Sequence, residues 1–277
     1  MSQRVWLITG ISSGFGNEIA KQVLAKGDKV IGTVRNIKKI TDLIETYPDT
    51  FEYQIVDVTD TEGVHRVVET AFEKYGEIDV IISNAGYGLY GAAEEFSDEE
   101  ENLMIATNLK GSITFIKSAL PYLRKQNKGR IIQIASVAGQ VGYLGNSMYN
   151  ATKFGITGYC EAVSLEMEKF NVGVTVVEPG GARTEFRYGS VKVAENLIPE
   201  YEHAHGFLDM LNPEKGLAPG DPVKMATRII ESVDVNPAPL HLSLGSKALD
   251  DTIRALSKRL EGYQNQKELA ASTDILV

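Results

Sequence analysis

The chain has 277 residues, of which 43% are hydrophobic and 23% charged, and carries a formal net charge of −9. That length buries a large core yet fits one α/β domain, and the acidic balance without clustered Lys and Arg excludes a nucleic-acid partner. The single cysteine, Cys160, excludes an intrachain disulfide and a thiolate metal cluster and fits a reducing, cytoplasmic setting.

In chain order, Met1-Ser2-Gln3-Arg4-Val5-Trp6 enters a strand at once and lacks the regions of a signal peptide. No apolar run approaches the ~20 residues that span a bilayer, so no membrane segment is expected. Val5–Thr9 reads as a strand, Gly10-Ile11-Ser12-Ser13-Gly14-Phe15-Gly16 as a glycine-rich turn, and 17–26 as a helix. Strands follow at 29–33 and 51–58, separated by a helix over 37–46 that Pro48 closes. A helix over 61–75 and a short buried strand at 80–83 come next. Ser97 with Glu100 three residues on is a capping box, and the acids Asp98 and Glu99 suit a helix N-terminus, so no metal site is read there. Strands at 130–135 and 172–177 flank a helix running from Met148 to about Phe170. Residues 185–219 break the pattern, and their aromatics, among them Phe186, Tyr188, Tyr201 and Phe207, favour a substrate lid. His203 and His205 lack further metal-ligand types at ligand spacing and read as lid surface. A helix over 222–233, a strand at 240–244, a terminal helix over 248–266 and a loose tail over 269–277 complete the chain. Alternating strands and helices predict a parallel sheet covered on both faces. One domain spanning 1–277 is expected, with the lid and a helical extension over 247–277.

Gly10, Gly14 and Gly16 follow a strand and open a helix, the setting in which glycine lets a pyrophosphate approach the backbone and the helix N-terminus receive it. The second strand ends in Gly32-Thr33-Val34-Arg35-Asn36, without the acid that accepts the ribose 2′-hydroxyl of NAD. An Arg35 guanidinium suits a 2′-phosphate instead, so NADP is preferred over NAD. Tyr149 and Lys153 lie four apart on one helix face. A fixed ammonium pulls a neighbouring phenol's pKa down and fits it for acid/base work on an alcohol or carbonyl.

Taken together, these motifs resemble the short-chain dehydrogenase/reductase family: Thr9-Gly10-x-x-x-Gly14-x-Gly16, Asn84-Ala85-Gly86, Asn108, Ser136, Tyr149, Lys153 and Pro179-Gly180, in order along nearly the whole chain. The resemblance implies a doubly wound, seven-stranded parallel sheet of Rossmann type, with helices on both faces and the lid inserted before the last helix and strand. It implies catalytic roles for Ser136, Tyr149 and Lys153, with Lys153 also holding the nicotinamide ribose, and a water relay through Asn108. For the cofactor it implies Ile11, Ser12, Ser13 and Phe15 in the glycine loop, and Arg35 with Asn36 at the 2′-phosphate. Asp57 and Val58 would lie at the adenine, Asn84 with Ala85 and Gly86 along the ribose, and Ala182 and Thr184 beyond Pro179-Gly180. Ser13 departs from the basic residue that many NADP-preferring relatives carry before the middle glycine. The expected activity is NADP(H)-dependent carbonyl reduction or alcohol oxidation on an apolar substrate held by Val141, Tyr143, Leu144 and the lid aromatics. The alternatives are a non-catalytic NADP sensor or scaffold and a sugar epimerase or dehydratase. The resemblance also implies a homodimer or homotetramer built on helices near 101–125 and 148–170.

Overall fold

The computed structural model describes residues 3–275. The start of the N-terminal strand reading, at Met1 and Ser2, and the end of the expected tail, at Leu276 and Val277, lie outside the described residues.

Among the described residues nine strands and eleven α-helices follow in the order β1 (Val5–Ile8), α1 (Gly14–Ala25), β2 (Lys29–Val34), α2 (Thr41–Thr46), β3 (Phe51–Ile55), α3 (Thr61–Tyr75), β4 (Val80–Ser83), β5 (Leu89–Tyr90), α4 (Asp98–Met104), α5 (Ser112–Gln126), β6 (Gly129–Ile134), α6 (Ser147–Met167), β7 (Val172–Pro179), α7 (Glu185–Tyr188), β8 (Lys192–Val193), α8 (Phe207–Leu211), α9 (Pro222–Ser232), β9 (His241–Leu244), α10 (Ser246–Gln264) and α11 (Lys267–Ala271). Seven strands form one parallel sheet in the order β3-β2-β1-β4-β6-β7-β9, and β5 pairs with β8 in a separate two-stranded sheet. The order reverses direction between β1 and β4, and ligands of such sheets bind outside the carboxyl ends of the strands at that point.

Successive strand residues point to opposite faces. Trp6 and Ile8 therefore join one core with Val80, Ile82 and residues of α1 and α9, whereas Leu7 and Ile81 join the other with α3, α5 and α6. Helix α6 is held by a stripe at helical spacing, Tyr149, Lys153, Ile156, Cys160, Val163 and Met167, all buried. Burial pushes the Cys160 thiol up to about 12, so it is an inert core side chain.

Several boundaries differ from the sequence expectation for local reasons. The third strand stops at Ile55, because Asp57 turns the chain by accepting hydrogen bonds from the Thr59 amide at 2.9 Å and its hydroxyl at 2.8 Å. The expected helix over 37–46 is split: Asn36 caps a single 3₁₀ turn over Ile37–Lys39 before α2 begins. The capping box at Ser97 forms, with the Glu100 amide donating to Ser97 Oγ at 3.2 Å and the Ser97 amide to Glu100 Oε2 at 2.9 Å. Between α4 and α5 lies a π-helical stretch, Ile105–Gly111, that no hydrophobic period reveals. The expected loose tail from 269 contains part of α11. Among the described residues no helix is long and apolar enough to cross a membrane.

Residues 185–219 are built rather than irregular. Their β8 zips onto β5, with Lys192 N donating to Gly88 O and Ala194 N to Tyr90 O, each at 2.8 Å. The buried Glu95 carboxylate then accepts from the amides of Ala92 at 2.6 Å and Ile198 at 2.7 Å and meets His205 Nε2 at 2.7 Å. Burial pushes the Glu95 pKa up, but those donors outweigh it and hold the carboxyl below its usual range. His205 is thus an interior lid anchor, not the lid surface its sequence context suggests.

Helix α1 can cross the β1–β4 junction closely only because residue 16 is glycine. A Cβ there would lie 2.5 Å from both Asn84 Nδ2 and the Gly10 carbonyl oxygen. Gly16→Ala is expected to lower unfolding free energy by about 1–3 kcal/mol, an overpacking cost, measured by denaturant unfolding.

Candidate active site

A cavity of about 1440 Å³ opens at the carboxyl ends of the strands. Single small-molecule pockets are typically about 300–1,000 Å³, so this one has room for an extended cofactor and a second molecule.

One end is the glycine turn. Gly10 at φ +70 and Gly14 at φ +57 adopt left-handed backbone, which glycine enters without a Cβ penalty. Ser13 makes no side-chain capping bond to α1, so the first-turn amides stay available to an anion. Asn84 secures this turn: its Nδ2 donates to the carbonyls of Thr9 and Gly10, both at 2.9 Å, and its backbone amide donates to the Thr9 hydroxyl oxygen at 2.9 Å. Arg35 sits at the same end, largely exposed, with Nη1 3.5 Å from Asp57 Oδ2. Burial pushes the Asp57 carboxyl up, but hydrogen bonds from Thr59 and the Arg35 charge overcome it and keep the group below its usual range.

The other end holds the acid/base groups. Helix α6 brings Tyr149 and Lys153 to the cavity wall, with the ammonium 5.5 Å from the phenol ring centre. Ser136, at the turn after β6, stands with Tyr149 on the cavity wall, and its Oγ accepts from the Ala138 amide at 3.1 Å. Burial drives the Tyr149 pKa well above that of an ordinary phenol, the nearby Tyr90 phenol adds to this, and the Ser136 hydroxyl pulls the other way. The four-residue spacing to Lys153 predicts a lowered phenol pKa; in the folded chain burial raises it instead. Burial likewise pushes the Lys153 ammonium down, to about 8, with the Ile134 carbonyl accepting from Nζ at 3.1 Å.

Of the expected residues, Gly10, Ser12, Ser13, Gly14, Phe15, Arg35, Asp57, Val58, Asn84, Ala85, Gly86, Ser136, Tyr149, Lys153, Pro179, Gly180, Ala182 and Thr184 all line this cavity. Ile11 is fully buried beneath the turn, and Gly16 packs against Asn84 and Gly10. Asn36 is exposed and spends its Oδ1 on the Lys38 amide. Asn108 lies in the π-helical stretch, a feature often found at functional sites. Its side chain is committed to the backbone of Tyr87, accepting from the amide at 3.0 Å and donating to the carbonyl at 2.7 Å. It positions the Asn84-Ala85-Gly86 segment. On the substrate side Tyr143, Leu144, Phe186 and Phe207 line the cavity, but Val141 does not and Val137 takes its place. Tyr188 and Tyr201 are engaged elsewhere, with the Ala218 amide and Glu94.

Sequence reasoning missed Asn150, which donates to the carbonyls of Ala138 and Val141, both at 2.7 Å, and so ties the Ser136 turn to the tyrosine helix. A polar amide one residue after Tyr149 was the available signal. No group of three or more His, Cys, Asp or Glu side chains is placed to hold a metal among the described residues.

This constellation of glycine turn, switch-point cavity and Ser-Tyr-Lys wall defines a dinucleotide-dependent oxidoreductase. The sequence profile of the short chain dehydrogenases matches residues 4–193, and the chain belongs to that family. It is 36% identical over 215 residues to a 3-ketodihydrosphingosine reductase of Bacteroides thetaiotaomicron, covering 76% of each protein. A crystal structure of a short-chain dehydrogenase from Streptomyces avermitilis superposes with a TM-score of 0.92 at 34% identity, covering 99% of this chain and all of that one. The protein ElxO with NADP bound superposes with a TM-score of 0.73 at 26% identity over 90% of this chain and 100% of its own.

The buried ammonium makes a stability prediction. A lysine whose folded pKa is about 8 against 10.5 ordinarily leaves the unfolded chain holding more protons between those values. Its cost is full below pH 8 and fades as pH rises to 10.5. Lys153→Met is expected to add roughly 2 kcal/mol at neutral pH, after about 1 kcal/mol is lost with the Ile134 bond. Thermal unfolding across pH checks this, with the gain shrinking at alkaline pH.

Proposed function

We propose that the protein is an NADP(H)-dependent oxidoreductase that moves a hydride between the nicotinamide and the carbonyl or secondary alcohol carbon of an apolar ketone or aldehyde. The observation that carries this reading is the meeting of Tyr149, Ser136 and Lys153 at the wall of a cavity whose far end is the glycine turn. The uncapped start of α1 suits the pyrophosphate, and Arg35 suits the 2′-phosphate through charge-assisted hydrogen bonds. The bound cofactor supplies the hydride.

The chain's own groups manage the proton. The raised pKa keeps the Tyr149 phenol in its donor form at neutral pH, which suits reduction: the phenol gives its proton to the substrate oxygen as charge builds there. Ser136 donates a hydrogen bond to the same oxygen. Lys153, half or more of it charged below about pH 8, stands beside the phenol and would hold the ribose hydroxyls of a bound cofactor. The apolar wall of Tyr143, Leu144, Phe186 and Phe207 excludes water and accepts a hydrocarbon substrate. The Bacteroides relative, a 3-ketodihydrosphingosine reductase, supports the apolar class.

Tyr149→Phe is expected to cut NADPH-dependent reduction of apolar carbonyls by at least about 100-fold while cofactor binding, followed by fluorescence titration, persists. Near-native turnover in that variant overturns the mechanism. Arg35→Asp, which sets a second carboxylate beside Asp57, is expected to weaken NADPH by about 10–100-fold and to turn the steady-state preference toward NADH.

Self-association belongs to the same reading. Ile105, at 41% exposure, and Phe154 and Leu165, at 36% and 77%, leave apolar side chains outward on the π-helical stretch and α6. A two-fold dimer through these faces is proposed. Leu165→Glu is expected to shift the sedimentation profile to monomer, and an unchanged profile removes this face from the interface.

A further inference from the structure

The lid half of the cavity carries two polar groups that the proton and hydride chemistry leaves unused. Tyr90 is held in place by its neighbours: its carbonyl accepts from Ala194 of the lid, its ring centre lies 5.5 Å from that of Phe207, and its edge packs over Gly88 beside Phe186. Its hydroxyl makes no hydrogen bond to any described residue, although it lines the cavity with Tyr149. Arg187, one residue after Phe186, is half-buried and lines the same wall. Its guanidinium is clamped by the Met210 carbonyl, which accepts from Nε at 3.2 Å and Nη2 at 2.8 Å, while Nη1 lies against Gly181.

Among the described residues Arg187 forms no ion pair, and neither does Lys192, another cavity-lining cation, which lies 5.6 Å from the Tyr87 ring centre. The acid nearest along the chain, Glu185, turns back against Gly189. Asp251, the carboxylate at the far rim of the cavity, is already matched by Lys247 at 2.6 Å, Arg254 at 3.3 Å and the Tyr143 hydroxyl at 3.3 Å. A fixed guanidinium partly withdrawn from water gains most from a ligand anion, since charge-assisted bonds strengthen as water is excluded. The positive charge of Arg187 also acts on the Tyr90 phenol, opposing the rise that burial imposes on it.

Resting on the oxidoreductase reading above, we propose that Tyr90 and Arg187 form an anion subsite of the substrate pocket, so that the substrate is an apolar oxo-acid whose carboxylate is bound at the lid while its carbonyl faces Tyr149. Tyr90 donates its hydroxyl proton in a hydrogen bond to the carboxylate, Arg187 supplies the charge, and Lys192 draws the anion toward the mouth of a chain whose net charge is −9. The same chemistry would suit the pyrophosphate of the cofactor, and the experiment separates the two sources.

Suberic semialdehyde and its methyl ester are compared as substrates with NADPH, in the wild type and in Arg187→Met, Arg187→Lys and Tyr90→Phe. The wild type is expected to favour the acid over the ester by about 10-fold or more in kcat/KM, corresponding to roughly 1.5–3 kcal/mol for bonds to charged groups. The preference resides in KM, collapses toward unity in Arg187→Met, falls in Tyr90→Phe and is partly kept in Arg187→Lys. Octanoate binding to the NADP-loaded protein, measured by calorimetry, should weaken in Arg187→Met in parallel. Equal use of acid and ester by the wild type, or octanoate binding that ignores Arg187, overturns the subsite. So does an Arg187→Met variant whose chief defect is weaker NADPH, which assigns the arginine to the cofactor. If neither aldehyde is reduced, the oxidoreductase reading fails on its own, and octanoate calorimetry still decides the subsite.

Discussion

The architecture turns on an ammonium group held inside the protein. Lys153 lies within the buried stripe of α6, where an apolar side chain would pack without electrostatic cost, and its protein acceptor is the Ile134 carbonyl at the end of β6. That contact orients the helix against the strand ends and sets Tyr149 over the cavity, so the same packing that completes the core also aims the phenol. Stability is lost at this position where chemistry needs a charge, a common trade at active sites.

The cofactor end and the acid/base end are joined through backbone rather than through direct contact. Asn84 locks the glycine turn to the end of β4, Asn108 locks the following segment to the π-helical stretch, and Asn150 locks the Ser136 turn to α6. Three amide side chains thus act as staples between loops that would otherwise carry unpaired buried peptide groups. Each bonds main chain, which explains why asparagine recurs around these loops.

Charge is distributed unevenly. The chain as a whole is acidic, yet the cavity wall collects Arg35, Lys153, Arg187, Lys192, Lys224 and Lys247 against Asp57, Asp221 and Asp251. A local excess of positive charge in a cleft concentrates anionic ligands even when the net charge repels them. The segment 185–219, which lines part of this cleft, is fastened at Glu95, a carboxylate wholly withdrawn from solvent and satisfied by two amides and His205.

Much of the fold was legible in the sequence because its signals are local. Alternating apolar runs, the glycine turn between Ile8 and α1, the capping box at Ser97 and the four-residue spacing of Tyr149 and Lys153 each depend on neighbours within one or two turns of chain. The sheet order depends on pairings between strands distant in sequence, such as Trp6 with Val80, and the pairing of β5 with β8 joins Leu89 to Lys192; no local pattern encodes either. The same holds for His205, which looks like lid surface until Glu95, distant in sequence, is brought to it. It holds for Asn108, whose amide reads as free until Tyr87 folds over it. By itself the sequence determined which residues could do proton chemistry and which turn could receive a phosphate. Only the tertiary structure decided how far each group is withdrawn from water, and burial, more than spacing, sets the charge state of Tyr149 and Lys153.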